Sequence, residues 1–344
     1  MKALVLNGPN QPFDLTEVPD PAAGPGEAVA KVIASGAGLT IPHVKAGRAE
    51  ADFPLIIGHE ITAEIVEVGP AVKNVAVGDP VTAYFYLNCG YCKWCRQNAE
   101  PLCENTGGYI GRNCDGGYAE YIKLPADNYI KLPEELDYKT YPAQIGVITD
   151  ALATPYKVLK RAKVGSLDTV AVFGAGGGLG IHQVILAKWA GARVIAVDTA
   201  DDKFGACRQA GADEVVNPNE VDTVEALMDL TGGKGVDVSI DYVSAKSTLE
   251  DGVKSLGRHG RFVTLGGAGN VFEVDAKHLL ENEIDVLGSR YVTKAEVTEV
   301  LDLVARGDVW PIVNEIRPME EAEIVHDLVE KGEVTGRAAI MIAE

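Results

Sequence analysis

The sequence predicts an α/β protein of two domains, an irregular β-rich domain followed by a doubly wound parallel sheet. Three observations predict it. The first 130 or so residues are short β-rich runs broken by Gly and Pro, such as EAVAKVIASG, AEIVEVG and GDPVTAYFY. From about Asp150, helical segments (ATPYKVLKRA, IHQVILAKWAG) alternate with apolar strands (TVAVFG, RVIAVD, VDVSIDYV), the pattern of a parallel sheet. The length of 344 residues, at roughly 150 per domain, has room for both.

Composition narrows the function classes. Hydrophobic residues make up 47% and charged residues 24%, close to ordinary globular proportions, so neither disorder nor a disulfide scaffold is expected. With 31 basic against 50 acidic side chains the formal net charge is -19, which repels phosphate backbones. No nucleic acid partner is expected. The start, MKALVLNGPN, has one lysine and no apolar core of signal-peptide length, so a cytoplasmic location is expected. The longest uncharged stretch, Thr169 to Ala187, has spanning length but holds five glycines with His182 and Gln183, and reads as a loop and helix with no membrane role.

The strand TVAVF runs into GAGGGLG and an apolar helix, and the next strand, RVIAVD, ends at Asp198. Gly174, Gly177 and Gly180 permit a tight turn, close backbone approach to a pyrophosphate and close helix-to-strand packing, while helix N-terminal amides face the phosphates. The spacing is one residue longer than the usual G-x-G-x-x-G. Asp198 would accept hydrogen bonds from the adenosine ribose and repel a 2′-phosphate, so NAD(H) is expected over NADP(H). No arginine follows it, although Lys203 stands nearby as a further cofactor-binding candidate.

Four of the six cysteines form C-x2-C-x2-C-x7-C at Cys89, Cys92, Cys95 and Cys103. Four thiolates so close in sequence wrap one tetrahedral ion and leave no open position, which predicts a structural zinc. The ferredoxin pattern closes with x3 and a proline, and an iron–sulfur cluster is disfavoured.

These features, with Gly58-His59-Glu60 ahead of EIVEVG and Gly78-Asp79, Asp150 within DALATPY, and the closing Gly336-Arg337, resemble the zinc-containing alcohol dehydrogenases of the medium-chain dehydrogenase/reductase superfamily. The resemblance spans the whole chain. It implies a GroES-like domain over residues 1–149 and 286–344, with the zinc lobe at about 88–104, and a Rossmann NAD(H)-binding domain over 150–285. Substrate would bind in the cleft between them. It also implies that His59 and Asp150 occupy two catalytic zinc-ligand positions and that Glu60 is a neighbouring carboxylate able to approach the metal.

The family's catalytic cysteine aligns with Gly38, and the Asp that normally orients the histidine ligand aligns with Ile41. Loss of such a carboxylate weakens metal affinity by about 10- to 100-fold, so one zinc per chain is expected and a second is not. By the same resemblance Thr40 and His43 form a proton relay, Thr154 packs near the nicotinamide, Phe85 lines the substrate pocket and Arg337 contacts the pyrophosphate. The expected activity is hydride transfer between NAD(H) and a small or medium carbonyl or alcohol, in a homo-oligomer (dimer or tetramer), with protonated His59 as donor to a developing oxyanion. Activated-alkene reduction is the alternative within enzymes, and a non-catalytic dinucleotide-binding protein the alternative outside them.

Overall fold

The computed structural model describes residues 1–266 and 270–343; Glu344, the end of the apolar tail, lies outside them. The chain forms two compact units, residues 1–153 with 292–344, and residues 154–291.

The first unit is built on a seven-stranded sheet whose long central strand, Glu27–Ala37, pairs antiparallel with Ile61–Val68, Tyr121–Pro125 and Arg337–Met341. A second sheet joins Phe13–Glu17, Lys2–Leu6 and Leu55–Ile56. The tail strand enters this unit because its Ala338, Ala339 and Ile340 are wholly apolar and wholly buried. One core gathers Leu4, Leu6, Ile41, Ile57, Tyr118, Val325 and Ile340.

The second unit is a parallel six-stranded sheet. In spatial order its strands are Glu214–Val216, Arg193–Val197, Thr169–Phe173, Val236–Asp241, Leu256–Thr264 and Asp285–Gly288. Numbered by their order in this unit, they run 3-2-1-4-5-6, the doubly wound order with its switch point between Thr169–Phe173 and Val236–Asp241. Successive strand residues point to opposite faces. Val170, Val172, Val194 and Ala196 therefore enter one core, and Ala171, Phe173, Ile195 and Val197 the other. Both faces are covered, which is why these strands read as unbroken apolar runs. The segment Asp285–Gly288 pairs in parallel with Leu256–Thr264, so the chain leaves this unit after Tyr291 and not at 285.

Candidate functional site

In the first unit four polar side chains come together from positions far apart in sequence. His59, Glu60, Asp150 and Arg337 are 3%, 0%, 4% and 6% exposed. Gly58 takes a φ of +105°, open to glycine, and a Cβ there would strike the Tyr118 ring. That turn delivers His59 and Glu60 at the mouth of the Ile61–Val68 strand. Asp150 sits on a π-helical turn, Ile148–Leu152, a feature frequent at functional sites. Arg337 follows Gly336, whose φ is +75°, and opens the tail strand.

Arg337 Nε donates to Glu60 Oε2 at 3.0 Å and Nη2 donates to Asp150 Oδ2 at 2.9 Å. The Ala151 N–H donates to the other Glu60 oxygen at 3.1 Å. Burial pushes the Glu60 carboxyl up, against the pull of the Arg337 charge. His59 Nε2 lies 3.6 Å from Asp150 Oδ2 and has no hydrogen-bond partner. Its ring is held edge-on by Phe85 and Tyr109, with centroids 5.3 and 5.1 Å away. The anticipated pocket residue Phe85 thus touches the anticipated catalytic histidine, whereas Tyr109 carries no sequence signal that would have singled it out.

Thr40 and His43 lie on the Thr40–Lys45 helix, one turn apart and so on one face, both half-buried. Burial and then the Arg48 charge lower the His43 imidazole from its ordinary value, with Glu330 opposing.

The second unit holds the glycine turn. Gly174, with φ +73°, ends the first strand, and its N–H donates to Val197 O at 2.9 Å. A Cβ on Gly180 would lie 2.7 Å from the Gly174 carbonyl carbon, and one on Gly177 would lie 3.3 Å from the Gly174 oxygen. The turn is therefore as tight as the spacing suggested. Asp198 is anchored at the end of its strand by the N–H groups of Gly176 (2.8 Å) and Ala200 (3.1 Å). Gly176, which the spacing alone did not single out, has no room for a side chain because the Lys203 stem lies 2.6 Å from where its Cβ would be. Lys203 is buried at this turn, and Thr154 is buried in the helix Ala153–Arg161. A turn lined by backbone, closed by a helix start and flanked by a fixed carboxylate fits a dinucleotide.

The four lobe cysteines converge, with all sulfurs within 4.8 Å of one another. Sγ separations are 3.9 Å (Cys89–Cys95), 3.5 Å (Cys92–Cys95) and 4.0 Å (Cys92–Cys103). Thiolates about 2.3 Å from a shared tetrahedral centre lie about 3.8 Å apart, so the set fits zinc. Backbone N–H donors draw the Cys92 thiol down to about 6. Among the described residues this is the one group of three or more His, Cys, Asp or Glu that converges in this way; His59, Glu60 and Asp150 do not.

Comparison with known proteins agrees over the full length. Residues 24–134 match the alcohol dehydrogenase GroES-like domain and residues 178–306 the zinc-binding dehydrogenase domain. An alcohol dehydrogenase of Geobacillus stearothermophilus is 36% identical, with 100% of both chains covered. An NAD-dependent alcohol dehydrogenase of Sulfurisphaera tokodaii is 30% identical over 99% of this chain and 100% of its own. The crystal structure of an alcohol dehydrogenase from Aeropyrum pernix, 31% identical, superposes with a TM-score of 0.91 over 99% of this chain and 100% of that one. With identity at this level over the whole chain, the protein belongs to the zinc-binding alcohol dehydrogenase family and is an oxidoreductase of that type.

Proposed function

We propose that this chain uses NAD(H) to reduce the carbonyl of a small or medium organic substrate, with His59 as the donor to the substrate oxygen. The observation that carries the cofactor half is Asp198, fixed by two N–H groups at the end of the second strand of a 3-2-1-4-5-6 sheet, where its carboxylate favours a free ribose diol. The nicotinamide supplies the hydride when bound. The protein's part is to orient and to move a proton.

In this reading Gly38 stands where relatives carry a catalytic cysteine and Ile41 where they carry a carboxylate; Ile41 is 2% exposed within an apolar core. The His59 ring is wedged between Phe85 and Tyr109, and its Nε2 is buried without a hydrogen-bond partner. Asp150 Oδ2, 3.6 Å from Nε2, is the acidic group that faces this nitrogen. As His59 donates to the carbonyl oxygen, Thr40 and His43 return a proton, and such positioned transfer supplies about 10²- to 10⁴-fold. Zinc belongs in the Cys89–Cys103 lobe, where four thiolates would staple the loop. A homo-oligomer located in the cytoplasm completes the proposal, supported by the open sheet edge at Asp285–Gly288 with Leu280 78% exposed. Among the described residues no helix is long and apolar enough to cross a membrane.

NADH consumption with a panel of aldehydes, ketones and enones tests this. Alcohol products are expected, with His59→Gln lowering kcat by about 10²-fold or more. NADH is expected to bind tighter than NADPH, and Asp198→Gly to narrow the gap. Saturated carbonyl products would reassign the chain to alkene reduction, and NADH binding without turnover on any substrate would remove the enzymatic reading.

A further inference from the structure

The slot occupied by the Arg337 guanidinium is cut by two glycines. The tail strand runs antiparallel to Glu27–Ala37 with Ala338 opposite Ala37, and that register continued by one residue sets Arg337 opposite Gly38. A Cβ on Gly38 would overlap the guanidinium, with Nη1 at 2.7 Å and Cζ and Nη2 nearer still. Two residues earlier, on the same face of the chain, a Cβ on Gly36 would lie 2.8 Å from the Cβ and Cδ of Glu60. Gly36 and Gly38 thus clear a bare strip of backbone against which the Glu60–Arg337 ion pair lies. Any side chain at position 38, a thiolate included, competes with Arg337 for one volume.

Two buried carboxylates need a cation beside them. The family resemblance implies a metal ion near these positions, but a metal needs several convergent ligands, which His59, Glu60 and Asp150 do not form. A guanidinium needs only acceptors. It stays protonated throughout the ordinary pH range and its planar fork matches carboxylates, as the two pairs at 2.9 Å show.

We propose that Arg337 is the resident cation of this pocket in place of a second zinc ion, holding Glu60 and Asp150 and occupying the volume left by Gly38. Arg337 is then a positioning residue that fixes Asp150 beside His59. The inference rests on the reading of His59 and Gly38 above, and concerns what neutralises that site.

The test is zinc per chain, by elemental analysis after zinc loading and desalting, on the full chain and on two variants. The expected counts are one for the unmodified protein, one for Gly38→Cys, where Arg337 still blocks the slot, and two for Gly38→Cys combined with Arg337→Met. Two zincs in the unmodified protein, with one lost in His59→Ala, would overturn the proposal, as would two in Gly38→Cys alone or one in the double variant. Should the cysteine variants not fold, the unmodified count still decides. Gly38→Ala against Gly205→Ala adds a second measurement, since a Cβ on Gly205 meets nothing within 4 Å. Gly38→Ala should lower Tm by several degrees and Gly205→Ala should not; equal behaviour would overturn the proposal. NADH consumption separates this from the functional reading: two zincs with turnover sinks the inference and makes His59 a ligand in place of a donor while NADH-dependent reduction stands, and one zinc without turnover sinks the function alone.

Discussion

At the scale of single residues, burial decides which imidazoles can carry a proton. His326 is 2% exposed, accepts or donates one hydrogen bond with Tyr118 Oη at 3.0 Å, and has Nδ1 without a partner. Burial, with the Lys45 charge adding to it, drives its value down to about 3. The folded pKa lies below the unfolded one, so between about 6.5 and about 3 the unfolded chain holds the extra proton and stability falls as pH falls through that window. His326→Gln keeps a polar partner for Tyr118 but cannot titrate. We expect it to be less stable than the parent at pH 7, by about 1 kcal/mol, and to lose less stability between pH 6.5 and pH 4. Urea unfolding across that range checks this, and parallel pH profiles would show that His326 contributes nothing. Its partner Tyr118, 208 positions away, had no local signal in the sequence.

At the scale of elements, the turn from Thr169–Phe173 into Gly180–Trp189 leaves no space for a side chain at its helix start. An alanine at position 180 would push its methyl onto the Gly174 carbonyl. Helix and strand would have to separate, at a cost of about 1–3 kcal/mol for an overpacked contact. Gly180→Ala is expected to weaken NADH binding at least tenfold, read by fluorescence titration, while Gly205→Ala leaves it unchanged. The element was legible because strand, turn, helix, strand and acid follow one another within 30 residues, and local chemistry dictates each step. The π-helical turn that carries Asp150 was not legible, since its widened hydrogen bonding has no residue signature in DALATPY.

At the scale of the molecule, each unit has its own core, and ligands that bind one unit should stabilise that unit. NADH at 100 times its Kd adds about 2.7 kcal/mol to whatever binds it. Limited proteolysis should then show NADH protecting residues 154–291, whereas chelation of the lobe zinc opens cleavage near Cys89–Cys103 in the first unit. Uniform protection of both units by NADH would contradict the assignment of the cofactor to the second.

The sequence by itself determined the parts whose chemistry is local. Four cysteines spaced over 15 residues can reach one ion whatever surrounds them, and the glycine turn with Asp198 needs only its own strand–helix–strand unit. Apolar runs announced a sheet covered on both faces because every second residue had a core to enter. Tertiary structure alone decided the acid–base and charge arrangement of the first unit. Arg337 meets Glu60 across 277 positions and Asp150 across 187, through a strand register that no local pattern encodes. The resemblance implied a pyrophosphate contact for Arg337 and aligned Gly38 with a ligand position; the fold sets the two side by side, the Arg337 guanidinium filling the space a Cβ on Gly38 would need while it pairs with two buried carboxylates. Sequence separation hid this, because burial makes an ion pair obligatory only once distant strands have been laid side by side.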